Sequence, residues 1–274
     1  MKDPIRVLYV AQEFTPFVLE SIMAKITSLY PLYLQEMGCE VRIFMPCYGH
    51  INERRNQLHE VQRLSGLNLI IDDNDYQLII KVATLANIRM QVYFIDNEEY
   101  FRRKGTDVDL EGNEFDDNEN RMIFFARGVL ETITKLRWAP DVVHCNSWFS
   151  AMIPYYIKTI YNETPFFQNS KLLFSVFDCA RYQKDFSENF VRAIRINKDD
   201  ESVPELLNGQ VNWQRLTKFA IENSDSVLFV DNVDEELRQF VEASGKPYAI
   251  TVDEDNRKEA YYSVLKPLIP SLED

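Results

Sequence analysis

Five short apolar runs, at residues 5–11, 41–45, 141–144, 171–176 and 226–230, constrain this chain more than any other feature. Each is rich in Val, Ile, Leu or Phe and mostly free of polar residues, the composition of strands buried on both faces of a parallel sheet. The segments between them carry a helical period. Residues 20–37 place Ile22, Ile26, Leu29, Tyr33 and Met37 near one face, with Gly38 as the expected C-cap. Residues 117–137 repeat the pattern with Met122, Phe125, Val129, Ile133 and Leu136, and 148–161 and 213–223 supply further crossovers. Strand and helix alternate, so the expected fold is α/β, a doubly wound and mostly parallel sheet. Residues 59–95 break the rhythm: strand follows strand, with turn signals such as DDND between them, and an inserted β-hairpin or meander is expected there. Beyond 253 the tail is charged and then helical. No repeat or linker divides the chain, so 1–274 reads as one domain.

Composition narrows the partners. A net charge of −13 and the lack of a basic stripe with interleaved aromatics exclude nucleic acid as an expected partner. No apolar run approaches the roughly 18 residues of a membrane span, and the start MKDPIRVLYVAQE sets Asp3, Pro4 and Arg6 where a signal peptide needs apolar residues. A cytoplasmic protein is expected. Cys39, Cys47, Cys145 and Cys179 lie far apart, and three of them fall in or beside expected strands, so they read as reduced thiols rather than a disulfide framework. Only 8 glycines occur in 274 residues. Neither GxGxxG nor GxxxxGK[ST] is present, which removes the dinucleotide and P-loop readings, and no cofactor is expected.

Two metal readings are weak. DVDLEGNEFDDN from Asp107 has carboxylates at its first, third and fifth positions and Gly at its sixth, but Asn118 stands where a calcium loop needs its bidentate Glu. Cys39, Cys47 and His50 match no compact zinc spacing. The segment PDVVHCNSWFS carries more. A buried strand ending near His144, with Ser147 placed to cap a helix, puts His144, Asn146 and Trp148 at the carboxyl end of the sheet, where open α/β sheets bind ligands. With no second histidine or conventional acid-base pair beside it, His144 reads as a hydrogen-bonding strut slightly more readily than as a general base. Asp178 occupies the equivalent strand end one unit on.

Taken together, these segments resemble the N-terminal half of the bacterial glycogen synthase and plant starch synthase family. VLYVAQEFTPFV is similar to the family's opening strand and its S/A-E-x-x-P-F sequel, and GCEVRIFMPCYG to its second strand. YFIDNEEYFRRKG looks like Y-F-I-D-x-x-x-Y-x-R-x-G, and FDDNENRMIFFARGVLE like Y-x-D-N-x-x-R-F-x-x-F-x-R-A-x-L-E. PDVVHCNSWFSAMIPYYIK follows P-D-V-V-H-x-H-D-W-x-x-x-x-x-P-x-Y-L-K, and NGQVNWQRLTKFAIENSDSVLFVD follows the family's last segment of this half. The resemblance implies one Rossmann-like half of a GT-B glycosyltransferase, and the chain ends where the family continues into its C-terminal domain. Asp117, Asn118 and Arg121 match positions lining the family's cleft, and with Tyr100 and Trp148 they are the residues expected to bind a neutral glucan there.

The same resemblance marks departures. Where the family reads P-F-x-K-T-G-G at its first strand-to-helix turn, this chain has Leu19 for the lysine, Glu20 for the threonine, and Ser21 and Ile22 for the glycine pair. An anion that meets a cation and bare backbone in the family would meet a carboxylate and bulk here. In H-x-H-D-W, His144 and Trp148 remain, while Asn146 replaces the second histidine and Ser147 the aspartate. Phe177 and Asp178 stand for the histidine and asparagine of V-H-N. No catalytic residue is therefore assigned. One expected function is a glucan-binding or regulatory module with no ADP-glucose glucosyltransferase activity on its own. The other is an active enzyme completed by a partner chain. Expected partners are an α-glucan or malto-oligosaccharide, or a second protein or a second copy over the face that the C-terminal domain covers in the family.

Overall fold

The computed structural model describes residues 4–85, 88–178, 182, 184–196 and 202–269. In chain order the first elements are β1 (Arg6–Val10), α1 (Ile22–Thr27), α2 (Tyr30–Glu36) and β2 (Glu40–Pro46), followed by β3 (His59–Glu60), β4 (Leu67–Ile71), β5 (Asn74–Leu85), β6 (Met90–Asp96) and α3 (Glu98–Phe101). Then come α4 (Asn118–Leu136), β7 (Val142–Asn146), a 3₁₀ turn (Trp148–Ser150), α5 (Met152–Thr159) and β8 (Lys171–Phe177). The chain closes with α6 (Phe190–Ala193), α7 (Trp213–Glu222), β9 (Ser226–Val230), α8 (Glu235–Ser244), β10 (Tyr248–Thr251) and α9 (Glu254–Leu265).

Among the described residues ten strands form one sheet in the order β10-β9-β8-β7-β1-β2-β6-β5-β3, with β4 paired to β5. From β10 to β6 every pairing is parallel, and β3, β4 and β6 each meet β5 antiparallel. The sheet is therefore α/β and mostly parallel, as the apolar runs imply. Val7, Leu8, Tyr9 and Val10 of β1 are all fully buried, which an uninterrupted run between two layers of cover requires. β1 has β2 on one side and β7 on the other, so the chain order reverses there and leaves a crevice at the strands' carboxyl ends.

Two details depart from the expected outline. The span 20–37 is two helices, because Pro31 has no amide hydrogen to continue α1 and instead opens α2 in its first turn. Ile22, expected on the buried face, is 72% exposed. The 59–95 segment is only partly a meander: its turn at Asp72 and Asp73 makes the β4–β5 hairpin, but β6 runs parallel to β2 and continues the main sheet. Helix α4 follows expectation closely, with Met122, Phe125, Val129 and Ile133 fully buried beneath it. Among the described residues no helix is long and apolar enough to cross a membrane. Cys39, Cys47 and Cys145 are free thiols, and Cys179 lies outside the described residues.

Candidate functional site

The crevice is built from the residues that follow β1, β7 and β8, together with the amino end of α4. At the first strand end the anion cradle is filled by side chains. Ser21 caps α1, its Oγ accepting from the Ala24 amide at 3.1 Å, and the same hydroxyl donates to the Glu13 carboxylate. Glu13 is 3% exposed, so a buried carboxylate lies where backbone amides would otherwise face a ligand. Leu19 projects into solvent beyond it.

At the end of β7 the expected residues separate. His144 is sealed within the sheet layer: Nε2 meets Ser175 Oγ at 2.7 Å, Nδ1 meets Tyr261 Oη at 3.2 Å, and the Tyr261 ring stacks on it at 5.3 Å. Burial pulls its pKa down to about 3, so the imidazole is neutral. It is a strut between β7, β8 and α9, two residues short of the crevice. Asn146 is likewise structural, donating from Nδ2 to the Val10 carbonyl at 2.9 Å and accepting from Tyr9 Oη at 3.3 Å. Ser147 adopts φ 67° and ψ 168°, a region that is nearly glycine-only, and its Oγ donates to Gln12 Oε1 at 3.4 Å.

The loop at 105–118 is fastened from beneath by two of the expected binding residues. Arg121 is fully buried and donates to the Tyr100 carbonyl at 2.8 Å, the Thr106 carbonyl at 2.7 Å and Asn118 Oδ1 at 2.6 Å. Asn118 in turn donates to the Asp107 carbonyl at 2.7 Å. Burial lowers the Arg121 pKa. Asp117 is engaged at both oxygens by Arg103, at 2.6 and 2.5 Å. Tyr100 packs in the core, 4.4 Å from the Tyr76 ring. Gly105, at φ +107°, could carry no side chain, since a Cβ would lie 2.0 Å from the Val108 carbonyl oxygen. The calcium-like carboxylates do not converge. Asp107 accepts from Gln12 Nε2 at 3.1 Å, and Asp109 turns back on the amides of Glu111 and Asn113 at 2.9 and 2.8 Å. Elsewhere Cys47, Glu53 and Asp96 place ligand atoms within 4.8 Å of one another, but Lys81 already bridges Glu53 and Asp96 at 2.8 and 2.9 Å.

What remains open is an aromatic recess of about 180 Å³ at the mouth of the crevice. Phe115, Trp148, Tyr182, Phe186 and Trp213 form its walls, with Asn118, Lys184, Ser187 and the carboxylates of Glu114, Asp116, Glu119 and Asp185 along its polar edge. The Trp148 ring lies 4.8 Å from Tyr182 and 6.2 Å from Phe186. Its Nε1 is buried with no hydrogen-bond partner among the described residues. Glu119 accepts from the Ser187 amide at 2.8 Å and from its hydroxyl, which ties the 184–190 segment over the recess. Trp213 is shared with a second recess holding Phe177 and Asp178, where Asp178 accepts from Asn232 Nδ2 at 3.2 Å. Of the residues expected at the site, Asn118 and Trp148 line the first recess and Phe177 and Asp178 the second. The rest hold loops and strands in place. Phe115, Glu119, Tyr182, Lys184, Phe186 and Trp213 also line the first recess and are not among the residues that the sequence singles out. Trp213 had a local signal, an indole directly after the helix-capping Asn212.

Comparison with known proteins places this arrangement. The model of the starch synthase catalytic domain matches residues 6–241. Glycogen synthase of Chlorobium luteolum is 37% identical over 233 residues, covering 81% of this chain and 47% of that protein. The glycogen synthase of Chlorobium limicola is 40% identical over 177 residues, 64% of this chain and 36% of that one. Among solved structures, the catalytic domain of starch synthase IV from Arabidopsis thaliana, bound to ADP and acarbose, superposes with a TM-score of 0.72 at 18% identity, covering 92% of this chain and 52% of that one. The chain spans about half the length of the curated relatives it matches or less.

Proposed function

The chain belongs to the starch synthase catalytic domain family, and we propose that it binds a malto-oligosaccharide in the aromatic recess and does not by itself transfer glucose from ADP-glucose. One observation carries the first half: the Trp148 indole N–H is a buried donor without an acceptor among the described residues, on the wall of a recess made of aromatic faces and a polar, largely acidic edge. Sugar rings lay their apolar faces on such walls and offer hydroxyl acceptors to such donors. That a solved relative of this fold holds acarbose supports the ligand class.

The second half rests on the first strand-to-helix turn. A nucleotide sugar needs charge stabilisation for its leaving diphosphate. Here the buried Glu13 carboxylate and the Ser21 cap occupy the turn, and Leu19 and Glu20 bring no cation to it. His144, neutral and enclosed, is not placed to act as an acid or base on a ligand in the crevice.

The test is a calorimetric titration of the protein with maltoheptaose and, separately, with ADP-glucose, alongside an assay of ADP release. Maltoheptaose should bind. Trp148→Phe, which keeps the ring and removes the N–H, should weaken it about 3- to 10-fold. ADP-glucose should neither bind nor release ADP above an enzyme-free control. Binding of ADP-glucose would favour the other reading, an enzyme that a partner chain completes. Silence with maltoheptaose, or an unchanged affinity in Trp148→Phe, would remove the glucan assignment.

A further inference from the structure

A second cavity, of about 220 Å³, lies away from the crevice, beside the β4–β5 hairpin turn and the middle of α4. Arg127, Arg192 and Arg195 all line it, together with Ile70, Asp72 and Asp73. Three guanidinium groups around one small space stand out in a chain of net charge −13. Arg192 is exposed, and its Nε donates to Asp72 Oδ1 at 3.0 Å. Arg127 is different: it is 9% exposed, donates from Nη1 to the Ile70 carbonyl, and has an Nε that is buried without a partner among the described residues. Among the described residues no carboxylate pairs with Arg127. A guanidinium withdrawn from water without a counter-charge is costly, and the cost is recovered when an anion accepts from it.

Helix α4 supplies Arg127, while α6 and the residues just beyond it supply Arg192 and Arg195, so the donors approach from more than one direction. A planar carboxylate presents two oxygens in one plane. A tetrahedral oxyanion presents acceptors in several directions and matches guanidinium forks arriving from different elements. We propose that this cavity binds a small phosphate-class anion, either free phosphate or the phosphate group of a monoester, held by Arg127, Arg192 and Arg195 with Asp72 as its internal competitor. The site is independent of glucan binding. It does share a strand of chain with the recess: the segment that Glu119 holds at Ser187 is the one that Asp72 holds at Arg192.

The experiment is isothermal titration of the intact protein with inorganic phosphate, with sodium chloride at matched ionic strength as the reference, and then with glycerol 3-phosphate. Phosphate should bind with one-to-one stoichiometry. A tighter glycerol 3-phosphate would identify a monoester as the natural ligand, and equal or weaker binding would identify free phosphate. Arg127→Gln should lose at least tenfold in affinity. Because that residue is buried, the decision does not rest on it alone. Arg192→Gln changes an exposed side chain and should lose several-fold, whereas Asp72→Asn removes the competing carboxylate and should gain several-fold. Opposite effects from two partners of one ion pair are not produced by unfolding. Phosphate no more effective than chloride, or an affinity indifferent to both Arg192→Gln and Asp72→Asn, overturns the site.

Discussion

His144 is a histidine withdrawn from proton chemistry, and its burial has a measurable signature. Its pKa in the fold is pulled down to about 3, against about 6.5 in an unfolded chain. Below pH 6.5 the unfolded state therefore binds a proton that the folded state refuses. The stability that the neutral ring confers is complete above that pH and is lost as pH falls towards 3. Between pH 7 and 5.5 this amounts to about 1 kcal/mol. His50, also lowered by burial, adds a loss common to wild type and variant. Urea unfolding at the two pH values should show wild type losing about 1 kcal/mol more than His144→Gln. Equal losses would assign the titration elsewhere. Ser147, three residues on, invites the opposite kind of change. Its φ of 67° with ψ 168° suits glycine, and its hydroxyl reaches Gln12 Oε1 at 3.4 Å, a long hydrogen bond. Ser147→Gly should raise the melting temperature by about 2–4 °C, the equivalent of about 1 kcal/mol in a protein of this size. A fall would mean that the contact with Gln12 outweighs the backbone strain.

At the scale of elements, the turn between β1 and α1 shows how one substitution set serves the fold. Ser21 both caps α1 and satisfies Glu13, so Ser21→Ala should destabilise by about 1–2 kcal/mol in denaturant unfolding, through the lost cap and the deprived buried carboxylate. Ser21→Gly keeps a tolerated capping residue and isolates the Glu13 contribution. Loop 105–118 hangs on Arg121 in the same way. Arg121→Lys puts a single ammonium where three acceptors are spread around a guanidinium fork, and should cost about 3 kcal/mol or more. These elements also show what periodicity can and cannot convey. Helix α4 was legible from Met122, Phe125, Val129 and Ile133, and the buried strands from runs such as Val7 to Val10, because burial on one face or on both leaves a local pattern. β10 was not, since YAIT is short and flanked by Pro247 and Val252, and α8 leaves its clearest signals at its ends, where Asp234 caps its start and Gly245 its end. The site was less legible than the fold. Motif matching placed Asn118, Arg121, His144 and Trp148 in order along the chain, but only tertiary packing decides that Arg121 and His144 face inward while Trp148 borders the recess. Tyr182 and Phe186 reach it from a segment with no period at all.

The whole molecule carries a net charge of −13, and its size makes that charge a single field. A chain of this length folds to a radius of gyration of about 19 Å. At about 0.01 M salt the screening length is about 30 Å, so negative groups on opposite sides repel one another, whereas at about 0.15 M it is about 8 Å and they do not. The buried Lys81–Asp96 pair, with Glu53 and Arg102 closing the cluster, lies largely beyond the reach of ions and so does not offset the gain. The melting temperature should therefore rise by a few degrees as sodium chloride is raised from about 0.01 to 0.15 M, and then level off. A fall over that range would mean that exposed pairs such as Arg238 with Glu235 and Glu242 contribute more than the net repulsion removes. The same scan sets the baseline for the arginine cavity. Chloride and phosphate at equal ionic strength screen the molecule alike, but phosphate also stabilises by its exclusion from the surface, so only the part of its further rise that depends on Arg192 measures specific occupancy. The rise with phosphate should be smaller in Arg192→Gln, as a several-fold weaker affinity requires, while the chloride response persists.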